Sequence, residues 1–313
     1  MEGVLVLAFG GHALSPDQRI QEERADAFSE ALSRLVPREA GAVLVHGNGP
    51  QVGLILLRIE ATRERIPPET LDILVAETQG SIGYLLSRAI RSRSPDREVA
   101  AVLTQVLVDA EDPDLGRPVK PVGPYYSEEE ALSLSQRSGW HISQEPEKGW
   151  RRLVPSPRPL EIVEMHTIAE AAAHGQIVIA GGGGGIPVIR RGGQLKGVEA
   201  VIDKDLTAGL LARSLRAWRL IILTDVPHVS RGFKTPSQRP IRRMDTGQAE
   251  ELLKAGEFPC GTMGPKVEAA ISYVKETGRG ALITDLDHLE EALEREEGTW
   301  ILPEPGIAGN ERL

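Results

Sequence analysis

The chain has 313 residues, a formal net charge of −9 and one cysteine. This length suggests two domains or one large α/β domain. The acidic balance argues against a nucleic-acid partner, and an anionic substrate would need local positive charge. Cys260 alone can form neither an internal disulfide nor a multi-cysteine metal site. The first residues resemble neither a signal peptide nor a membrane anchor, so we expect a cytoplasmic protein with no membrane partner.

Short, continuously apolar runs predict the strands of a sheet that is buried on both faces. These runs are residues 4–9, 42–46, 99–104, 177–180, 220–223 and 281–283. Helical patterns lie between them, at residues 19–35, 71–90, 203–215, 246–255, 263–277 and 287–294. The alternation predicts an α/β fold with right-handed βαβ connections and a mainly parallel, open sheet.

Residues 112–159 interrupt this alternation. The stretch is rich in Pro, Gly, Arg and Trp and contains one helical pattern, at residues 128–137. It also contains a large share of the few aromatic residues of the chain, namely Tyr125, Tyr126, Trp140 and Trp150. We therefore expect an inserted subdomain, or lid, with a small core of its own.

Glycine-rich loops follow at least three of the predicted strands. They contain Gly10 and Gly11, then Gly47, Asn48 and Gly49, and then Gly181–Gly185. Such loops can bring backbone N–H groups close to an anion because no Cβ blocks the approach. Since the carboxyl ends of parallel strands open onto one crevice, the sequence predicts an anion site there. A plain tight turn is the alternative for any single loop, and His12 beside the first loop could be a ligand contact or an ordinary loop histidine.

Three lysines stand out from a chain whose positive charge is mostly arginine. Of 36 Lys and Arg residues only eight are Lys, and Lys120, Lys204 and Lys266 lie in segments punctuated by Gly, Pro or Asp. Lys204 lies between Asp203 and Asp205 at the start of a predicted helix. Lysines oriented by carboxylates can offset the charge of a phosphoryl group during transfer. A solvated surface side chain is the alternative for each lysine.

Two further segments suit a nucleotide. The first follows the strand predicted at 220–223, and the second begins the helix predicted at 263–277. Their candidate residues are Thr224, Asp225 and Val226 in the first segment, and Met263, Gly264 and Lys266 in the second. A Thr-Asp pair could bind a ribose or cap a turn, whereas a helix N-terminus with a lysine suits phosphates. The histidines lack metal-binding spacing, so we predict no metal site built from protein ligands alone.

Together these motifs resemble the carbamate kinase family, which has the amino-acid kinase fold. The resembling segments follow one another along nearly the whole chain, at residues 10–14, 46–53, 79–84, 120–124, 149–157, 182–188, 197–206, 223–226 and 263–270. The resemblance implies reversible phosphoryl transfer between ATP and carbamate, which yields ADP and carbamoyl phosphate and requires Mg²⁺. It also implies a homodimer.

The resemblance further implies a three-layer αβα sandwich of two lobes with a protruding lid. The N-terminal lobe, residues 1–215, would bind carbamate or carbamoyl phosphate, and the C-terminal lobe, residues 216–313, would bind the nucleotide. The implied catalytic residues are Lys120, Lys204, Asp205 and Lys266. The implied substrate-binding residues are Gly10, Gly11, His12, Gly47, Asn48, Gly49, Gly182 and Gly183. The nucleotide would contact Thr224, Asp225, Val226, Met263, Gly264 and Lys266.

The chain departs from the family pattern at two places. His12 replaces the usual Asn, and residues 227–230 read Pro-His-Val-Ser where the family has Asp-Lys-Val-Tyr. One alternative is therefore a weakly catalytic sensor that binds carbamoyl phosphate or nucleotide. Another is a kinase of the same fold for a different small anionic acceptor, against which the insert with Lys120 argues.

We expect the affinity for carbamoyl phosphate to depend on pH, because the imidazole of His12 titrates near neutrality. Calorimetry between about pH 5.5 and 8 should show this dependence in the wild type and lose it in His12→Asn. A wild-type profile that is flat, and that the substitution leaves unchanged, would contradict a ligand-contacting His12.

Overall fold

The structure is a computed structural model that describes residues 3–10, 17–259, 261–294 and 297–305. Gly11, His12 and Cys260 lie outside these ranges. The helices in the described ranges are α1 (Gln18–Leu35), α2 (Gly49–Thr62), α3 (Leu71–Arg93), α4 (Glu128–Ser138), α5 (Met165–Ala173), α6 (Lys204–Ser214), α7 (Thr246–Lys254), α8 (Met263–Thr277) and α9 (Leu289–Leu293).

The strands of the same ranges are β1 (Leu5–Phe9), β2 (Ala42–His46), β3 (Val99–Ala101), β4 (Gln105–Leu107), β5 (Lys120–Tyr126), β6 (His141–Glu145), β7 (Gly149–Val154), β8 (Glu161–Ile162), β9 (Ile177–Ile179), β10 (Ile186–Arg191), β11 (Gln194–Gly197), β12 (Arg219–Leu223), β13 (Val229–Arg231), β14 (Arg239–Ile241), β15 (Arg243–Asp245), β16 (Ala281–Thr284) and β17 (Thr299–Leu302).

A central sheet organises the molecule. In the described part of the chain it has eight strands in the order β15-β17-β16-β12-β1-β2-β9-β3. The pairing is parallel except between β16 and β17. Every residue of β1 and β2 is buried, as a parallel sheet covered on both faces requires. The predicted α/β fold with a mainly parallel sheet is confirmed.

Helices cover both faces of this sheet. Val6 and Ala8 of β1 belong to one core cluster, which also includes residues of α5, α6 and α8. Leu5, Leu7 and Phe9, which point to the opposite face of the same strand, belong to a second cluster with residues of α1, α3 and α9. The expected three-layer αβα sandwich is therefore confirmed.

Most predicted elements agree with the structure to within three residues at each end. The run at 99–104 differs most among the strands, because β3 already ends at Ala101 and β4 starts a second sheet at Gln105. Thr104 lies at the break, where its backbone N–H and its hydroxyl both bind other segments. Helix α5, the extent of helix α2, the strands β15 and β17 and the short strands of the smaller sheets were not predicted.

Residues 112–159 contain a small antiparallel sheet and one helix, while their assignment as an inserted subdomain stays a prediction. Strands β5, β7 and β6 build an antiparallel sheet, and α4 packs against it. The rings of Tyr126 and Trp140 lie 6.2 Å apart. However, Val122 and Val154 of the insert share a core cluster with Val52 of α2. The expectation of a separate core was therefore only partly right, since the base of the insert depends on α2.

The sheet runs without a break through both predicted lobes. Strand β1, from the first lobe, pairs in parallel with β12, from the second. The lobe boundary at 215/216 stays a prediction.

None of the helices in the described ranges is long and apolar enough to cross a membrane.

Candidate active site

Four parallel strands end at the same edge of the central sheet. They are β1, β2, β9 and β12, and the segments that follow them in the sequence contain the predicted substrate residues and, after β12, Thr224, Asp225 and Val226. Helices α2, α6 and α8 begin beside these loops, so their unpaired N-terminal N–H groups favour negative charge nearby. The sheet topology thus brings the glycine loops to one edge of the sheet, where the sequence predicted a crevice.

A single buried carboxylate holds two of the predicted catalytic lysines. Oδ2 of Asp205 accepts a hydrogen bond of 2.7 Å from Nζ of Lys266, and Oδ1 accepts one from Nζ of Lys204. The side chain of Asp205 is 4% exposed, and those of the two lysines are 13% and 12% exposed. Lys204 and Asp205 lie in the first turn of α6, and Lys266 lies near the start of α8, so packing of these two helices brings the three residues together.

Burial and charge together set the protonation of this cluster. Burial alone would raise the pKa of Asp205, but the two lysines outweigh it and lower the pKa to about 2. Burial lowers the pKa of Lys204, against the opposing effect of Asp205. Burial also lowers the pKa of Lys266, but the charge of Asp205 and its hydrogen bond outweigh burial, so the pKa is raised. Asp205 therefore remains a carboxylate at neutral pH and can orient both amines.

The third predicted lysine reaches the crevice from the insert. Nζ of Lys120 on β5 donates a 2.7 Å hydrogen bond to Oδ2 of Asp203. Oδ1 of Asp203 accepts a 2.9 Å hydrogen bond from the backbone N–H of Asp205 and so caps α6. The structure thus brings Lys120, Lys204, Asp205 and Lys266 together, although their catalytic roles stay predictions.

The glycine turn after β9 packs directly on the loop after β2. A Cβ added at Gly182 would lie 2.3 Å from Nε2 of His46, and one added at Gly183 would lie 2.1 Å from Nδ2 of Asn48. Gly183 also has a φ of 66°, which disfavours side chains. These two positions therefore require glycine, and the two predicted substrate loops form one surface.

A glutamine from α3 fixes this turn from behind. Nε2 of Gln79 donates a 3.0 Å hydrogen bond to the carbonyl of Gly182, and its Oε1 accepts a 2.7 Å hydrogen bond from the N–H of Thr104. The hydroxyl of Thr104 accepts a 2.9 Å hydrogen bond from Gly181. Neither Gln79 nor Thr104 was among the predicted site residues. A polar glutamine among the apolar residues on the buried face of α3 was the signal in the sequence that could have indicated Gln79.

His46 lies beneath the site as a neutral imidazole. Burial lowers its pKa to about 4, and the charge of Lys204 adds to this effect against a hydrogen bond to Gly47. Its Nδ1 lies 2.9 Å from the carbonyl oxygen of Gly47, and because a carbonyl only accepts, Nδ1 carries the proton. His46 was not predicted as a site residue, although it closes the second strand.

Two of the predicted backbone donors are already used inside the protein. The N–H of Gly47 donates to the carbonyl of Phe9 at 3.1 Å, which extends the sheet pairing. The N–H of Gly264 donates to the carbonyl of Pro259 at 3.1 Å. These N–H groups are therefore not the free donors that we expected. The space beside two other predicted glycines is open, since a Cβ added at Gly10 or Gly49 would meet no atom within 4 Å.

The predicted nucleotide segments follow β12 and begin α8, and both lie near Lys266. Thr224 continues from β12 and donates its N–H to the carbonyl of Thr284 at 2.8 Å. Asp225 is exposed and lies close enough to Lys266 to help raise its pKa. His228, in the segment that departs from the family pattern, is mostly buried, with Nε2 2.9 Å from Oε2 of Glu297. Among the described residues, no group of three or more His, Cys, Asp or Glu side chains could hold a metal ion.

Comparison with known proteins agrees with this geometry. The model of the amino acid kinase family matches residues 3–285. The chain is 41% identical over 312 residues to the carbamate kinase of Pyrococcus horikoshii, which covers 96% of this chain and 99% of that protein. The chain belongs to the carbamate kinases of the amino acid kinase family.

Other carbamate kinases show the same extent of similarity. Carbamate kinase 2 of Enterococcus faecalis is 40% identical over 305 residues, covering 95% of this chain and 97% of that one. The structure of carbamate kinase from Giardia lamblia bound to AMP-PNP superimposes with a TM-score of 0.88 at 36% identity, covering 96% of this chain and 99% of that one. The fold expected of a carbamate kinase is thus confirmed.

We expect His46 to make folding stability depend on pH. The unfolded chain binds a proton on this histidine below its ordinary pKa of roughly 6.5, whereas the folded protein does so only near pH 4. Stability should therefore fall as the pH drops from about 6.5 to 4, by up to about 3 kcal/mol from this residue. Urea unfolding at several pH values should show that the free energy of unfolding depends less steeply on pH in His46→Gln than in the wild type.

The control is His141→Gln, which changes an exposed histidine of the insert. This control should keep the wild-type pH dependence of unfolding. An equally steep dependence in His46→Gln would contradict the assignment of the effect to His46.

Proposed function

We propose that this protein catalyses reversible transfer of a phosphoryl group between ATP and carbamate, with ADP and carbamoyl phosphate as the other pair. Its membership of the carbamate kinases supports the reaction. The observation that carries the proposal is the convergence of Lys204 and Lys266 on Asp205, beside the glycine turn. A chain with a net charge of −9 needs such local positive charge to bind anions.

Carbamate is small and anionic, so backbone donors must provide most of its binding. We assign this role to the loops after β1, β2 and β9, with the residues Gly10, Gly11, His12, Asn48, Gly49, Gly182 and Gly183. The close packing of Gly182 and Gly183 on His46 and Asn48 keeps the loops after β2 and β9 in place before substrate arrives. Since the oxygen of carbamate is already an anion, the attack on phosphorus needs no general base.

The lysines would act on the charge that develops during transfer. We propose that Lys204 and Lys266 neutralise the transferring phosphoryl group, and that Asp205 holds their amines in place. Lys120 would cover the carbamoyl end from the insert. Closure of the insert would also exclude water, which otherwise hydrolyses carbamoyl phosphate.

The nucleotide would bind on the side of β12 and α8. We assign its contacts to Thr224, Asp225, Val226, Met263 and Lys266, near the N-terminus of α8. A relative of the same family, from Giardia lamblia, is described as bound to AMP-PNP. Mg²⁺ would arrive with the nucleotide as part of the substrate, held by its phosphates and water, as is usual for this ion.

The decisive experiment is a coupled assay of ATP formation from ADP, Mg²⁺ and carbamoyl phosphate. We expect turnover in the wild type and a loss of roughly 10²–10³-fold in Lys204→Ala, by analogy with removal of one donor to a developing anion. Lys196→Ala is the matched control, because Lys196 is exposed on β11. Its turnover should equal that of the wild type.

More than a third of wild-type turnover in Lys204→Ala would contradict the role of this lysine. A wild type that binds nucleotide by calorimetry but forms no ATP would contradict the proposed reaction itself. That result would favour a different small acceptor or a binding protein.

We also propose that the enzyme is a homodimer and that it is cytoplasmic. The support for a dimer, besides the resemblance, is an exposed apolar surface beside strand β3, which lies at an edge of the sheet. Tyr84 and Leu103 are 61% and 54% exposed there and line a cavity of about 450 Å³. An open sheet edge beside large exposed apolar side chains is typical of an association surface.

Leu103→Glu should therefore convert the dimer to a monomer, because it places a charge in the apolar contact. Light scattering coupled to gel filtration measures the mass directly. Leu132→Glu is the control, since Leu132 is similarly exposed, at 47%, but lies on α4 of the insert. A monomeric wild type, or equal effects of the two substitutions, would contradict this surface.

A further inference from the structure

Asp203 makes two hydrogen bonds that connect different parts of the molecule. One carboxylate oxygen accepts from the backbone N–H of Asp205 at 2.9 Å, and the other accepts from Nζ of Lys120 at 2.7 Å. The first bond caps the helix that carries Lys204. The second reaches across 83 positions of sequence to the insert. Asp203 was predicted neither as a catalytic nor as a binding residue.

The Lys120–Asp203 pair is well shielded from water. The side chains of Lys120 and Asp203 are 25% and 12% exposed. In a second pair between insert and body, Arg152 with Glu199 at 3.1 Å, the side chains are 16% and 49% exposed, so its carboxylate is the more exposed of the two. Because water screens the carboxylate of Asp203 less than that of Glu199, we expect the Lys120–Asp203 pair to contribute more to holding the insert against the body.

We propose that Asp203 is a positioning residue that holds Lys120 over the carbamoyl end of the substrate and couples closure of the insert to α6. This inference rests on the proposed function. An ammonium group has three N–H donors, so Asp203 occupies one and leaves two for substrate. Asp203 thereby does for Lys120 what Asp205 does for Lys204 and Lys266.

The opposite arrangement would be an autoinhibitory contact, in which Asp203 withdraws Lys120 from the substrate. The geometry favours positioning, because Asp203 directly precedes Lys204 and its carboxylate is fixed by the helix cap. An ammonium bound to this carboxylate therefore lies at the start of α6, beside the other two lysines. Kinetics separates the two roles, since removal of an inhibitory contact would lower KM.

The test is Asp203→Asn in the full-length protein. Asparagine is a good helix N-cap, so α6 keeps its acceptor, but the second oxygen becomes an amide that cannot accept from Lys120. We expect KM for carbamoyl phosphate to rise about tenfold, as for one lost charge-assisted hydrogen bond. The turnover number should change less than KM, and the melting temperature should match that of the wild type.

A double-mutant cycle with Lys120→Met separates positioning from a general structural role. In the Lys120→Met background, Asp203→Asn should cause less than about a twofold further loss of kcat/KM, because the partner is already missing. Additive losses would show that Asp203 acts independently of Lys120 and would overturn the proposal. A lowered KM in Asp203→Asn would overturn it as well.

Hydrogen exchange without substrate provides a readout that does not need the proposed reaction. Peptides from β5 and β7 should exchange faster in Asp203→Asn and in Lys120→Met than in the wild type, because the insert opens more often. Unchanged exchange in both variants would overturn the coupling. If the wild type formed no ATP but these peptides still exchanged faster, the proposed function would fail while the coupling would stand.

Discussion

The carboxylate of Asp205 is the group on which the rest of the site depends. Two buried ammonium groups would repel each other and lose their protons without a shared anion between them. Asp205 supplies that anion, but an unpaired buried carboxylate is itself costly, so the three residues are needed together. Their proximity requires close packing of α6 and α8, where a Cβ on Gly209 would lie 3.1 Å from Cα of Ala269. The start of each helix is thereby aimed at the same crevice.

The side of the crevice that we propose binds the anion follows a different principle, which is the absence of side chains. Gly182 and Gly183 allow His46 and Asn48 to pack within contact distance of the turn, and Gln79 binds the carbonyl of Gly182 from behind. The result is a rigid backbone surface supported by neutral groups. The low pKa of His46 belongs to this arrangement, because a protonated imidazole beneath the site would add a buried charge beside Lys204.

The insert brings a third lysine to a site whose other parts are fixed by the sheet. Its small sheet shares apolar contacts with α2, and its polar contacts reach Asp203 and Glu199. Charge contacts across such a boundary can break and reform more readily than a core can, so they suit the opening that we propose for the insert. The nucleotide side differs, because His228 is turned toward Glu297 within the protein.

The sequence by itself determined the buried strands, the glycine loops after them and the Asp-Lys-Asp motif at the start of α6, because apolar runs and turn residues are local signals. It also placed the chain among the carbamate kinases. Tertiary structure alone decided which groups meet. Gln79 binds Gly182, which lies 103 positions away in the sequence, and Lys266 binds Asp205, which lies 61 positions away. The N–H of Gly47 donates to the carbonyl of Phe9. Such pairings depend on how sheet and helices pack, and no local pattern along the chain encodes a hydrogen bond between distant residues.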